Sequence, residues 1–263
     1  MSKSGLARFV PHLGRLGRAT RWRRTGIGSR PRIWAHRGDS AHAPENTMLA
    51  FEKARDAGAD GLEFDVRLDA DKHVVVFHDR ALDRLAGRPG FMDELSASER
   101  AQLRVSGEPV PLLAEVLDAF ELELDIEIKI HRPGRGGELV AAVAKVLGDA
   151  RRRVSDQTIV TSFDPFALVQ FHHQRPDIAL GYIFHGDQAL PLRRGWAGIA
   201  AGASIVHPEH RLCTEAAVKR WHLAGMPVNA WTVDDAAELL RLAELGVDGV
   251  FANDPGHARS VLG

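Results

Sequence analysis

A single cysteine, Cys213, excludes an internal disulfide framework and any four-cysteine metal site, and it agrees with a reducing, cytoplasmic compartment. No run approaches the ~20 consecutive apolar residues of a membrane-spanning helix. A Walker A loop, the dinucleotide glycine fingerprint and a Gly-x-Ser-x-Gly elbow are all missing, which removes support for nucleotide-driven and serine-hydrolase chemistry. At 44% hydrophobic and 26% charged residues, the composition excludes collagen-like, coiled-coil and wholly disordered chains. Acidic residues are absent from residues 1–32, which hold nine lysines and arginines. The formal net charge of −1 is therefore a misleading average: residues 33–263 carry 25 cations against 35 acids, a charge of −10. An acidic body follows a basic leader.

Residues 1–32 lack the apolar stretch that a secretory signal needs after its charges, because Arg8, Pro11, His12 and Arg15 interrupt Leu6, Phe9, Val10, Leu13 and Leu16. Leu6, Phe9, Leu13 and Leu16 recur at helical spacing with arginines between them, a pattern suited to weak contact with a membrane surface. Pro11, Gly14 and Gly17 oppose a long helix. The simpler expectation is a flexible, solvated leader over 1–32 ahead of one catalytic domain over 33–263.

The body alternates between two periodicities. Apolar or alternating runs occupy Ile33–His36, Gly61–Val66, Val74–His78, Glu123–Ile130, Thr158–Ser162, Ile178–Phe184, Ala203–His207, Val228–Val233 and Gly249–Ala252. Helical patterns fall at Thr47–Ala57, Leu112–Ala119, Gly137–Leu147, Phe166–Gln174, Thr214–Ala224 and Asp234–Leu245, with Thr214 and Asp234 as expected N-caps. Repeated β-α units imply a parallel sheet, and the length suits a single (β/α)8 TIM barrel. Nine runs fit eight barrel positions if the successive strands near residues 63 and 76 are joined without a full helix.

In such a barrel the active site forms at the carboxyl ends of the strands. Nearly every run ends in a side chain capable of chemistry: His36-Arg37, Glu63 and Asp65, His78-Asp79, Glu127 and Lys129, Ser162, His207, Trp231, and Asn253-Asp254. Glu63 and Asp65 lie two apart on a strand and share a face, as do Asp125, Glu127 and Lys129. Carboxylates gathered inside a closed barrel repel unless protons or a cation neutralise them, and a hard divalent ion, Mg²⁺ or Ca²⁺, suits oxygen ligands. His36 and His78 can divide general acid and base roles near neutrality, and Arg37 suits a phosphate oxygen. His207-x-x-His210 has a zinc-like spacing, but Pro208 breaks the helix that would align the pair. The set favours phosphoryl chemistry over acyl or hydride transfer.

The motifs Ala35-His36-Arg37-Gly38, Pro44-Glu45-Asn46-Thr47, Gly61-Leu62-Glu63-Phe64-Asp65-Val66 and Val75-Val76-Phe77-His78-Asp79 are similar to those of the glycerophosphodiester phosphodiesterase family. Val110-Pro111-Leu112-Leu113, Glu127-Ile128-Lys129, Thr161-Ser162-Phe163, Ala230-Trp231-Thr232-Val233 and Gly246-Val247-Asp248-Gly249 follow in the family's order, so the resemblance spans about residues 33–260. It implies metal-dependent hydrolysis of glycerophosphodiesters to sn-glycerol 3-phosphate and an alcohol. By that resemblance Glu63, Asp65 and Glu127 hold the cation, and His36 and His78 form the acid–base pair. Arg37 meets the phosphate, Lys129 the phosphate or a ligand carboxylate, and Trp231 walls the glycerol or alcohol. Ser162 and Asp254 are expected as supporting groups. About 30 residues separate His78 from Val110, too few for the family's large inserted cap. Asp234 stands where the family often has asparagine and is read as a helix cap.

The implied partner is a small phosphodiester rather than a nucleic acid. A lysophospholipase D of the same chemistry is the alternative, favoured by the amphipathic leader. A catalytically dead binding barrel or a sugar isomerase explains the retained motifs less well.

Overall fold

The structure, a computed structural model, describes Trp22, residues 29–150 and residues 154–263. The expected leader therefore lies largely outside the described residues, and β1 (Arg32–His36) begins at its last position. Eight parallel strands form the barrel. After β1 come β2 (Gly61–Leu68), β3 (Glu123–Ile128), β4 (Thr158–Ser162) and β5 (Ala179–Phe184). Then follow β6 (Ile205–Pro208), β7 (Asn229–Ala230) and β8 (Gly249–Ala252). Each pairs with the next, β8 pairs with β1, and the parallel bridges Val206–Val228 and Glu209–Trp231 close the ring between β6 and β7. No helix among the described residues is long and apolar enough to cross a membrane.

The period-2 alternation of each strand divides its side chains between two environments. Ile33, Ala35, Leu62, Phe64, Leu124, Ile126, Val160 and Val250 face outward into one large core under the helices. That helical layer contains α1 (Met48–Asp56), α2 (Leu113–Ala119), α3 (Gly137–Asp149) and α4 (Pro165–Gln174). It continues through α5 (Glu215–Leu223), α6 (Ala236–Glu244) and α7 (Pro255–Leu262). Two short helical turns, Leu190–Arg193 and Trp196–Ala200, link β5 to β6. Inside the barrel, Trp34, Ile159, Ala179, Ile205 and Phe251 form a separate cluster with Trp22, which is 1% exposed. Trp22 and Trp34 lie 5.7 Å apart, and Arg32 donates to the Trp22 carbonyl at 3.0 Å.

The run at 74–78 is not a barrel strand. Val74–Val76 pairs antiparallel with the end of β2, Val66 opposite Val76, and stands off the ring. Its buried apolar sequence looks like a barrel strand, yet only a dozen or more residues permit a parallel return. Residues 69–73 are too few, so the chain turns back as a hairpin. The other eight runs supply the eight barrel positions. From residue 77 to 112 the chain makes a small excursion with its own core, including Val75, Phe77, Leu82, Met92 and Leu103. This excursion carries His78 and Arg84 to the barrel mouth and contains no large cap.

Candidate active site

Register brings the acidic residues together. Glu63 of β2 stands opposite Asp125 of β3, Asp65 opposite Glu127, and His36 of β1 opposite Glu63. All four carboxylates point inward and are buried. One oxygen from each of Glu63, Asp65 and Glu127 lies within 4.8 Å of the others. Lys129, next inward along the chain after β3, places its Nζ 3.0 Å from Asp65 and 2.6 Å from Glu127.

Electrostatics at the cluster is one-sided. Burial, with Asp65 and Glu127 nearby, pushes Glu63 well above the usual carboxylate range. Burial raises Glu127 too, against the pull of Lys129. Burial opposes ionisation of Asp65 as well, but Lys129, Arg37 and the Asn46 amide together hold its pKa well below the ordinary value. Two cations thus fail to neutralise three crowded carboxylates, and the deficit falls on Glu63. A donor set of three converging hard oxygens with incomplete charge balance fits a divalent cation of the Mg²⁺ or Ca²⁺ type.

The turn after β1 explains the His-Arg-Gly sequence. Arg37 adopts φ 59° and Gly38 φ 79°, both left-handed. A Cβ on Gly38 would lie 2.7 Å from the backbone of Ala50, so the sharp reversal against α1 requires glycine. The reversal lets the Arg37 amide donate to the Glu63 backbone carbonyl at 2.9 Å and to its carboxylate at 3.0 Å. The Arg37 guanidinium reaches Glu45 at 2.8 Å and lies 3.2 Å from Asp65. Asn46, also left-handed, donates from Nδ2 to Asp65 at 2.9 Å, and Thr47 caps α1 through the Ala50 amide at 3.2 Å. Glu45 and Asn46 were legible only as parts of a motif, because their partners are distant in sequence.

His36 and His78 line the same cavity. Each has its Nδ1 held from behind. His36 Nδ1 lies 2.8 Å from Asn253 Oδ1, and His36 Nε2 lies 4.0 Å from Glu63. Asn253 Nδ2 donates to Asp234 at 2.6 Å, and the Asn253 amide donates to the same carboxylate at 2.7 Å. Since the Asn253 NH₂ is committed to Asp234, its oxygen faces the imidazole, so His36 Nδ1 carries the proton and Nε2 offers a lone pair. Asp234 is therefore not the helix cap the sequence suggested. Asp235 caps α6, accepting from the Glu238 amide at 2.9 Å, and Asp234 is free to orient Asn253. His78 instead sets its Nδ1 2.5 Å from Asp79, which Arg84 holds at 2.6 Å while also gripping Glu45 at 2.7 Å.

Burial lowers His36 to about 4, with Arg37 adding to the effect. His78 is also lowered, first by burial and then by Lys129 and Arg37, with Asp65 and Asp79 opposing. One imidazole leans on a neutral amide, the other on a carboxylate.

The remaining wall is apolar. A cavity of about 130 Å³ is closed by Phe163, Ile183, Trp231 and Phe251. Trp231 packs edge-on against Phe163 at 5.7 Å and donates to the His207 carbonyl at 2.8 Å. His207 itself is buried below the cluster, 3.5 Å from Asp125, and burial depresses it to about 3. Burial also raises Asp125 well above the usual range, opposed by the Thr161 hydroxyl at 2.8 Å. His210 turns away to Glu238 at 2.6 Å, so the two histidines share no site. Ser162 donates to the Ile128 carbonyl at 2.9 Å, and Asp254 caps α7 through the His257 amide at 2.8 Å. Both serve the backbone there.

Comparison with known proteins agrees with this geometry. The model of the glycerophosphoryl diester phosphodiesterase family matches residues 36–257. A glycerophosphodiester phosphodiesterase from Caldanaerobacter subterraneus subsp. tengcongensis is 30% identical over 237 residues, covering 85% of this chain and 94% of the relative. A phosphodiesterase of Oleispira antarctica, solved with its product sn-glycerol-3-phosphate, superposes with a TM-score of 0.80 at 29% identity, covering 88% of this chain and 96% of that one. A glycerophosphodiester phosphodiesterase from Thermotoga maritima gives 0.74 at 27% identity, covering 89% and 100%. The chain belongs to the glycerophosphoryl diester phosphodiesterase family.

Proposed function

We propose that this enzyme hydrolyses glycerophosphodiesters to sn-glycerol 3-phosphate and an alcohol, using His36 and His78 as its proton-transfer pair. The observation that carries the reading is the meeting of Glu63, Asp65 and Glu127 with both imidazoles, Arg37 and Lys129 around one cavity. Glu63, Asp65 and Glu127 are the residues to hold Mg²⁺ or Ca²⁺, which would supply Lewis-acid stabilisation of charge on the non-bridging phosphate oxygens. Arg37 and Lys129 orient the phosphate and share that charge, and Trp231 with Phe163 walls the glycerol.

The two imidazoles divide the work by their partners. Asp79 stabilises an imidazolium at His78, whereas the Asn253 amide leaves His36 neutral, its Nε2 lone pair facing the cavity. In the first half-reaction His36 takes the proton of the glycerol 2-hydroxyl as that oxygen attacks phosphorus. His78 returns a proton to the departing alkoxide, leaving a cyclic phosphate and the free alcohol. In the second half the roles exchange: His78 takes a proton from water, which opens the ring, and His36 reprotonates the 2-oxygen.

A lysophospholipase D activity is the second reading. An apolar groove of about 420 Å³, lined by Ile130, Pro133, Phe163, Phe166 and Leu192, meets the site at Glu127 and Lys129. With the glycerol placed in the 130 Å³ cavity, this groove is the place for an acyl chain.

The test is release of choline from glycerophosphocholine and from a lysophosphatidylcholine, with chelator and with Mg²⁺ or Ca²⁺ restored. Loss of turnover in chelator and recovery with either ion supports the reading; full turnover in excess chelator removes the carboxylate cluster from the mechanism. Faster turnover of the lysolipid selects the second reading.

A further inference from the structure

The cavity beside the carboxylates is small enough to take one end of a phosphodiester. At about 130 Å³ and walled by aromatic side chains, it suits the glycerol end, which all such substrates share. The variable alcohol must leave through an open side. One such side is a groove of about 440 Å³ that meets the cavity at Lys129.

The groove is strongly cationic. Arg67, Lys72, Arg80, Lys129, Arg132 and Arg135 line it against three acids, Asp69, Asp93 and Glu138. Each acid is already engaged: Asp93 by Arg80 at 3.0 Å, Glu138 by Lys72 at 2.8 Å, and Asp69 by Arg100 at 3.2 Å. Arg132 and Arg135 form no ion pair with another described residue, and both are exposed. The groove floor also holds the start of α3, a 13-residue helix whose N-cap, Gly136, offers no side chain to the first turn. A helix N-terminus adds partial positive charge where the two arginines already stand.

We propose that this groove is a second anion site, selecting glycerophosphodiesters whose alcohol carries a phosphate of its own. The inference rests on the phosphodiesterase reading above. A phosphate on the alcohol can accept paired guanidinium hydrogen bonds from Arg132 and Arg135. The ammonium of choline or ethanolamine would instead meet like charge, and a neutral polyol would leave both guanidiniums unused. Traffic through the apolar groove at Phe166 would give the reverse order, with charge on the alcohol a handicap.

The experiment uses the full chain with its divalent cation. It compares glycerophosphoinositol 4-phosphate, glycerophosphoinositol and glycerophosphocholine by release of glycerol 3-phosphate. The phosphorylated substrate is expected to have a kcat/KM on the order of tenfold above glycerophosphoinositol, carried by KM and shrinking with added salt. The double variant R132Q/R135Q should erase that ratio while leaving the other two substrates near wild-type rates. Equal kcat/KM for the two inositol substrates overturns the groove alone, as does a double variant that slows all three alike. Failure to turn over any of the three overturns the phosphodiesterase reading, and the groove with it.

Discussion

Two histidines with unlike partners occupy one cavity, and their separate roles can be tested one side chain at a time. His36→Ala and His78→Ala are each expected to lower kcat by roughly 10²–10⁴, the range for loss of one positioned acid or base. Circular dichroism should remain that of the wild type, and wild-type rates in either variant would remove that residue from the mechanism. The pH profile adds direction. Activity rises with pH as the base loses its proton, and burial places that limb near 4, the value to which His36 is lowered. On the proposed division of roles, activity is expected to fall again as His78, the acid, loses its proton. Since His78 is also lowered, the falling limb should lie on the acid side of the ordinary histidine value of 6.5. The two limbs belong to the pair rather than to either ring, so Asp79→Asn, which removes the carboxylate behind His78, should move the falling limb further toward acid. An unmoved limb would mean that Asp79 does not support the imidazolium.

The segment joining β7 to α6 shows how adjacent identical residues take different work. Asp235 caps the helix and Asp234 orients Asn253. Asp235→Ala is expected to lower unfolding free energy by about 1 kcal/mol with kcat retained. Asp234→Ala is expected to lower kcat on the order of tenfold with KM nearly unchanged, because Asn253 is then free to rotate and His36 loses its fixed tautomer. Denaturant unfolding and steady-state kinetics on both variants check the division; equal kinetic losses would contradict it. Sequence pattern could not assign the two, since either aspartate satisfies the capping preference. At Val74–Val76 the sequence left nine runs for eight positions, with this run joined to its predecessor without a full helix, and the antiparallel pairing with β2 identifies it as the one that stands off the ring. What was legible from periodicity was the shared face of Glu63 with Asp65 and of Asp125 with Glu127 and Lys129, whereas His36 and Trp231 were legible only as the ends of β-rich runs and as parts of the family's motifs. Asn253, Asn46 and Glu45 act across 217, 19 and 8 residues of sequence, a relation that spacing does not reveal.

For the whole molecule, the acidic cluster is expected to make stability depend on pH and on an added divalent cation. In the absence of metal Glu63 has a folded pKa well above its ordinary 4.5, owing to burial and to Asp65 and Glu127. A group with a raised folded pKa binds more protons in the native state than in the unfolded one, so its contribution is present at low pH and lost as pH rises through the folded value. Asp65 has the opposite sign, but its effect lies below its ordinary 3.8, where it gains a proton in the unfolded state first. The lowered histidines His36, His78 and His207 oppose this trend up to their ordinary 6.5; above it Glu63 and Asp125, both raised well above the carboxylate range, with Glu127 dominate, and the metal-free protein should become less stable as pH increases. A divalent ion on the three carboxylates removes the penalty and adds binding free energy, about 2.7 kcal/mol at a hundredfold excess over its Kd. Thermal unfolding in chelator should give a Tm that declines as pH rises above 6.5, the ordinary histidine value, in the manner of a roughly one- to two-proton linkage. With Mg²⁺ or Ca²⁺ the Tm should be higher and the decline shallower. Coincident curves with and without the ions would show that the carboxylates neutralise one another by sharing protons, leaving Lys129 and Arg37 as the cluster's lasting positive charge.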